Sequence, residues 1–124
     1  MTKRQPKKRR RLRLEAEEIC LVDSSGVERM TLMLDEDGTP SITLRDRKHR
    51  GRIVLALRSD DTSHISLLRE SGHTSLGMGE NSQGRVGVSL LGSNDETRVS
   101  IVVHPDDSPQ IMLHDANGKT VWTS

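Results

Sequence analysis

The sequence predicts an all-β protein in which five tandem 23-residue repeats, each with two strands, form an antiparallel meander. Three observations support this fold class: a register that recurs every 23 residues, alternation of apolar and polar residues, and turn-forming residues at fixed places. Self-similarity at a constant interval of this size is typical of repeat architectures.

The repeat is clearest in the segments that start at residue 18 and at each step of 23: EICLVD, SITLRD, HISLLR, GVSLLG and QIMLHD. The second and fourth residues of each segment are apolar, namely Ile19, Leu21, Ile42, Leu44, Ile65, Leu67, Val88, Leu90, Ile111 and Leu113. Two further apolar columns recur at the same step: Met30, Ile53, Leu76, Val99 and Trp122, then Leu32, Leu55, Met78 and Ile101. We expect these columns to share one face of the sheet and to be buried together.

Runs such as SITLR, RIVLALR and TRVSIVV alternate apolar and polar residues, which places alternate side chains on opposite faces of a strand. Short polar segments separate the runs: DSSG, DRKH, RESG, GSND and DANG. The fourth residue of each is of a type that tolerates positive φ, as hairpin turns require: Gly26, His49, Gly72, Asp95 and Gly118. The sequence therefore predicts short strands joined in order by tight turns.

Composition limits how this meander covers its apolar face. Hydrophobic residues make up 31% of the chain, with one Trp and no Phe or Tyr. A ten-strand sheet with one apolar face requires a closed barrel, a two-layer sheet or an oligomeric β assembly. Apolar residues also occur on the opposite face, and we expect a homo-oligomer that uses them for self-association: Met33, Val54, Leu68, Leu91, Val102 and Met112.

The chain divides into a basic, flexible arm over residues 1–17 and a single β-repeat domain over residues 18–124. The first 13 residues contain eight basic and no acidic side chains, which are Lys3, Arg4, Lys7, Lys8, Arg9, Arg10, Arg11 and Arg13. The rest carries 11 basic and 18 acidic residues, a net charge of −7. We expect the arm to contact a polyanion such as nucleic acid, or an acidic protein surface. A solvated tail without a partner, contact with anionic lipid, and packing on the acidic body are the alternatives.

No catalytic, cofactor-binding or metal-binding residues are predicted. The five histidines lack the spacing of metal ligands on one element, and Cys20 has no second cysteine to pair with. The scarcity of aromatic residues argues against base stacking and against an aromatic-walled ligand pocket. No apolar run is long enough for a signal-peptide core or a membrane span, so a cytoplasmic location is expected.

The pattern LxLxDxxGxxR, followed by a DGTP-like turn and closing on DANGKTVW, resembles that of uncharacterised bacterial tandem-repeat β proteins. The resemblance covers roughly residues 18–122 and excludes the basic arm. Its motifs occupy turn and core positions, so it implies the fold and no catalytic residue. The turns at Arg50–Gly51 and Glu80–Gly84 depart from the pattern, which leaves the strand pairing there open.

These features predict a non-enzymatic structural or interaction module that self-assembles and carries a polyanion-contacting arm. The alternative is a sequence-independent nucleic-acid-binding protein that acts through the arm. A small-molecule-binding β-barrel is the third hypothesis.

Overall fold

A computed structural model describes residues 2–3 and 11–124. Residues 18–123 form one antiparallel sheet in which the ten strands follow their order in the chain. The strands are β1 Glu18–Val22, β2 Glu28–Leu34, β3 Pro40–Arg45, β4 Gly51–Leu57, β5 Ser63–Leu68, β6 Thr74–Glu80, β7 Val86–Leu91, β8 Thr97–Val103, β9 Pro109–His114 and β10 Thr120–Thr123. The even-numbered strands start 23 residues apart, and so do the odd-numbered strands from β3 to β9. The all-β antiparallel meander is therefore confirmed.

All nine connections between these strands have the same backbone geometry. In the first, the Asp23 N–H donates to the Val27 carbonyl at 2.9 Å and the Gly26 N–H donates to the Asp23 carbonyl at 3.0 Å. Such a turn needs a residue with positive φ at its fourth position. The five predicted residues have φ between 61° and 89°, which confirms the sequence prediction: Gly26, His49, Gly72, Asp95 and Gly118. The other four connections use Gly38, Asp61, Gly84 and Asp107 in the same way.

The two connections that depart from the sequence pattern keep this geometry. The Asp46 N–H donates to the Arg50 carbonyl at 2.9 Å, and the Asn81 N–H donates to the Arg85 carbonyl at 2.9 Å. Pairing continues beside the second turn, where Glu80 lies opposite Val86. Strand pairing therefore continues beside both turns, with a register shift between Leu44 and Arg45 next to the first.

Strand register gathers the apolar columns into two continuous rows on one side of the sheet, which we call the apolar face. The first ladder contains Ile19, Leu32, Ile42, Leu55, Ile65, Met78, Val88, Ile101 and Ile111. The second ladder contains Leu21, Met30, Leu44, Ile53, Leu67, Leu76, Leu90, Val99, Leu113 and Trp122. The predicted shared face is therefore confirmed.

The opposite side, which we call the hydroxyl face, has mostly small and hydroxyl-bearing residues along its centre. Its middle row runs through Cys20, Thr31, Thr43, Val54, Ser66, Gly77, Ser89, Ser100 and Met112. The most enclosed residues of the described chain are on this side: Thr31 is 3% exposed, Ser100 5% and Val102 6%.

The expected burial of the apolar columns is wrong for the single chain. Leu44 and Ile53 are each 39% exposed and Leu55 is 48% exposed. The cause is architectural, because the described strands contact only their neighbours in the sheet and β1 does not meet β10. Over the described residues the sheet is open and has one layer, so the single chain forms neither the closed barrel nor the two-layer sheet.

The residues before β1 belong to no helix or strand where the structure describes them. Leu12 and Leu14 are exposed there. The predicted arm residues Arg4 and Lys7–Arg10 lie outside the described residues. No helix that is long and apolar enough to cross a membrane occurs in the described ranges, 2–3 and 11–124.

Candidate functional site

The apolar face is a chemically uniform surface that extends across the whole sheet. Every member of its two ladders is aliphatic, Met or Trp, so the ladders offer no strong hydrogen-bonding group except the Trp122 indole N–H. Most of the exposed large hydrophobic residues of the sheet lie on this face: Leu21, Leu34, Leu44, Ile53, Leu55, Met78, Val86, Leu90, Ile101, Val103, Ile111 and Trp122. Contiguous apolar surface of this kind marks an interaction site on a soluble protein.

One margin of the apolar face is shaped into a groove of about 870 Å³. The first ladder lines it from Ile19 on β1 to Ile101 on β8. A third row, two residues beyond the first ladder on each strand, is mostly apolar and adds Leu34, Pro40, Leu57, Val86 and Val103 to the wall. The same row contributes Glu17 and Ser63, and residues of the other parity, such as Met33 and Ser41, also border the groove. This third row is not among the predicted columns, although its members share the parity of the columns and are recognisable from that spacing.

The second ladder lies outside this groove. None of its members lines the groove, yet Leu21 is 55% exposed, Leu90 44% and Trp122 50%. The exposed apolar surface is therefore wider than the groove, and an occupant of the groove alone leaves the second ladder facing water.

The hydroxyl face is partly covered by arginine side chains from the same chain. The Arg45 guanidinium donates from Nη1 to Thr31 Oγ1 at 2.6 Å. The Arg29 Nε donates to the Arg45 carbonyl at 2.9 Å, and the Arg52 Nε donates to the Leu68 carbonyl at 2.8 Å. Two of these guanidinium groups satisfy backbone carbonyls and the third satisfies the Thr31 hydroxyl. This side of the sheet therefore has an intramolecular cover that the apolar face lacks.

The six residues predicted for self-association lie on the side of the sheet opposite the ladders or at its bulged strand ends. Val102 is 6% exposed and packs within the chain, whereas Met33 is 36% exposed. The other four are half-buried: Val54, Leu68, Leu91 and Met112. The broader exposed apolar surface is on the other side of the sheet.

Carboxylates stabilise several of the turns and lower their own pKa values in doing so. Partial burial alone raises the pKa of Asp46, but hydrogen bonds from the Arg50 and Lys48 N–H groups and the Arg50 guanidinium outweigh it and hold the pKa at about 2. The pKa of Asp23 is lowered mainly by the hydrogen bond from the Val27 N–H. These carboxylates accept hydrogen bonds from the N–H groups of their own turns, so their role is to stabilise the turns.

Two histidines pair with carboxylates at the ends of the strands. His73 Nδ1 contacts Asp95 Oδ2 at 2.5 Å, and His49 Nε2 lies 3.5 Å from Glu28 Oε2. All four side chains are about half exposed. Within the described ranges, no three His, Cys, Asp or Glu side chains cluster closely enough to hold a metal ion.

The basic arm is described at three of its eight predicted contact residues. Lys3, Arg11 and Arg13 are exposed. The Arg13 Nε lies 2.7 Å from Glu15 Oε1, and both side chains are largely exposed. An exposed pair of this kind contributes little to stability, so Arg13 remains accessible to another anion.

Comparisons with family models and with curated proteins find no match for this chain. Its function is therefore argued from the chemistry of its own surfaces.

Proposed function

We propose that this protein is a non-enzymatic structural or interaction module that self-associates through its apolar face. The observation that carries the proposal is a one-layer sheet whose two apolar ladders have no covering layer in the described chain. Covering these ladders removes apolar surface from water, which is the main favourable term in protein association.

The size of the apolar face suits a stable protein–protein contact. Ten strands about 4.8 Å apart extend for about 43 Å, and three apolar rows about 7 Å apart occupy a width of about 20 Å with their side chains. The projected area is about 850 Å², which is close to the roughly 800 Å² that each partner buries in a standard interface.

A second copy of the chain fits this face better than a small apolar ligand does. A ligand in the groove contacts the first ladder and the third row but leaves the second ladder uncovered. A second sheet presents the same ladders at the same strand spacing, so it can cover both at once. Identical patches facing each other also give the closed symmetry of most homo-oligomers.

A matched pair of methionine substitutions tests which face associates. Met78 on the apolar face is 37% exposed, and Met33 is 36% exposed with the strand parity of the hydroxyl face, although it also borders the groove. Replacing either with Glu therefore disturbs the isolated chain to a similar extent, but only Met78→Glu places the charge among the ladders. We expect the masses of the wild type and of Met33→Glu in solution to be multiples of the 13.8 kDa chain. Met78→Glu should shift the distribution toward monomer, because it places a charge inside the proposed contact.

Light scattering after size exclusion measures these masses over a range of concentrations. A wild type that stays at 13.8 kDa at high concentration contradicts the proposal. Dissociation by Met33→Glu alone assigns the contact to the hydroxyl face. Native mass spectrometry that finds a bound lipid on a monomer assigns the groove to a ligand.

The second candidate function is sequence-independent nucleic-acid binding through the arm, as favoured by the separation of eight basic residues from a body of net charge −7. Phosphate contacts by Lys and Arg release counterions and do not depend on base sequence. Several arms on one oligomer would strengthen such binding without a new type of contact.

Titration of a DNA duplex at two salt concentrations tests the arm. The slope of log K against log salt is about −0.9 per neutralised phosphate, so engagement of most of the arm gives a slope of about −6. Deleting residues 1–13 should abolish binding and leave the circular dichroism of the sheet unchanged. Equal binding by the truncated chain contradicts the assignment. An arm that packs on its own body gives weak DNA binding and a loss of stability upon deletion.

A further inference from the structure

The hydroxyl face contains a pocket of about 420 Å³ that reaches from β5 to β9. Three glycines on β6 and β7 form part of its lining, Gly77, Gly79 and Gly87. Positions one or more 23-residue steps away carry side chains at each of these places, such as Thr31 for Gly77 and Met33 for Gly79. The pocket therefore lies where glycines replace the residues with side chains that other repeats have at the same positions.

Backbone geometry shows that two of these glycines, Gly79 and Gly87, lie at close approaches of neighbouring strands. Gly79 has a φ of 154°, and a Cβ there would collide with the carbonyl oxygen of Ser63 on β5. A Cβ on Gly87 would lie 2.7 Å from Cγ1 of Val102 on β8. The concave shape of the pocket thus depends on the absence of side chains at these two positions.

Arg85 lines this pocket and is half-buried. Among the residues that the structure describes, its guanidinium has no hydrogen-bond or ion-pair partner. Every other arginine from Arg29 to Arg98, apart from the exposed Arg47, donates to a carbonyl, hydroxyl or carboxylate of the chain. A partly buried charge without a partner is unfavourable, and a guanidinium binds oxyanions strongly.

Unpartnered polar atoms within the described ranges lie along the same pocket. All of the enclosed side-chain nitrogen and oxygen atoms that lack a hydrogen-bond partner there belong to pocket-lining residues: His64 Nδ1, Arg85 Nε and Ser100 Oγ. Ser100 is only 5% exposed, so its hydroxyl has little access to bulk water. Native proteins satisfy almost all such groups, so three in one pocket mark a polar site that a bound ion or ordered water would satisfy.

The charge around the pocket is positive. The Arg58 guanidinium lines the pocket and is anchored to the Glu80 carbonyl at 3.2 Å. Glu80 also lines the pocket, but it has the strand parity of Met78, which places its carboxylate toward the apolar face. The pKa of His64 is lowered, first by burial and then by the positive charge of Arg58, so its ring is neutral near pH 7 and one ring nitrogen is free to donate.

We propose that this pocket binds a small oxyanion, such as inorganic phosphate or sulfate, through the guanidinium of Arg85. The Arg85 guanidinium presents several donors to the oxygens of such an anion, and the pocket also contains the neutral imidazole of His64 on β5 and the Ser100 hydroxyl on β8, which lie three strands apart. The scarcity of aromatic residues disfavours a nucleotide base or another flat ring in the same pocket. The site lies on the opposite face from the proposed self-association surface, so its test is independent of that proposal.

The test measures thermal unfolding and calorimetric binding of the full chain with sodium phosphate or sulfate, at constant ionic strength adjusted with chloride. Arg85→Gln removes the charge and keeps a polar side chain. Arg47→Gln is the matched control, because Arg47 is exposed and outside the pocket. We expect saturable phosphate binding and a raised Tm for the wild type and the control, with binding at least tenfold weaker for Arg85→Gln.

A second measurement separates binding from a structural role of Arg85. In chloride alone, Arg85→Gln should unfold at the same temperature as the wild type or higher, because it removes a half-buried charge that has no partner. A lower Tm in chloride, unchanged phosphate affinity of Arg85→Gln, or no saturable binding by the wild type would each overturn the proposal. Phosphate bound by the basic arm persists in Arg85→Gln and so counts against the pocket.

Discussion

Replacing Leu55 with Ala measures how far the apolar face is covered in solution. The substitution removes three carbon groups, worth about 2.4 kcal/mol in a fully buried position at about 0.8 kcal/mol per group. Leu55 is 48% exposed in the single chain, so about half of that, roughly 1.2 kcal/mol, is expected for an isolated molecule. A second sheet seated on Leu55 brings the full transfer term and a cavity term, which raises the cost to about 2–5 kcal/mol.

Urea unfolding at two protein concentrations, followed by the fluorescence of Trp122, gives this cost. Val102→Ala is the control, since Val102 is 6% exposed within the chain and its cost should be the same at both concentrations. Assembly also makes the unfolding midpoint rise with protein concentration. A cost near 1 kcal/mol for Leu55→Ala with a concentration-independent midpoint would refute the covered face.

Two further predictions concern the turns and the glycine-lined bend. The pKa of Asp46 falls from 3.8 to about 2 on folding, so its contribution to stability is complete above about pH 4 and is lost as the pH falls toward 2. Thermal unfolding between pH 2 and 5 should show a smaller fall in Tm with decreasing pH for Asp46→Asn, because Asn keeps the acceptor oxygen but does not titrate. Identical pH profiles of Tm for the two proteins would show that the Asp46 carboxylate is not responsible. Gly79→Ala should lower the free energy of unfolding by at least about 1–3 kcal/mol in urea, because its Cβ meets the Ser63 carbonyl. The control is Gly77→Ala, whose Cβ has no heavy atom within 4 Å and which should change the free energy of unfolding by less than about 1 kcal/mol. Equal costs for the two substitutions would show that the tight approach of β5 and β6 is not maintained in solution.

The strands, their register and the first set of turns could be predicted because each depends on local chemistry. Alternation fixes which side chains share a face, and Ile42 accordingly pairs with Leu55. Positive φ selects a small set of residue types, so Gly26 and His49 could be assigned to turns from their position alone.

What faces the apolar ladders could not be predicted, because period-two alternation is the same in a barrel, a two-layer sheet and a single open layer. The sequence predicts an association surface from apolar residues that lie mostly on the hydroxyl face, yet one of them, Val102, is enclosed against Gly87 of the adjacent strand. The oxyanion pocket leaves a weak signal in the sequence. Gly77, Gly79 and Gly87 share one parity on adjacent strands where other repeats carry side chains, but only the register places Arg85 and His64 beside them.

Because the described strands touch only their neighbours in the sheet, every tertiary contact of the sheet joins segments that are close along the chain. Such a molecule has little long loop to close during folding, so it can zip up from any hairpin and fray from either end. Because the sheet is open and does not close into a barrel, its geometry does not fix the number of strands. Length can change by whole hairpins, with each addition moving the terminal edge by two strand widths and leaving the interior register as it was.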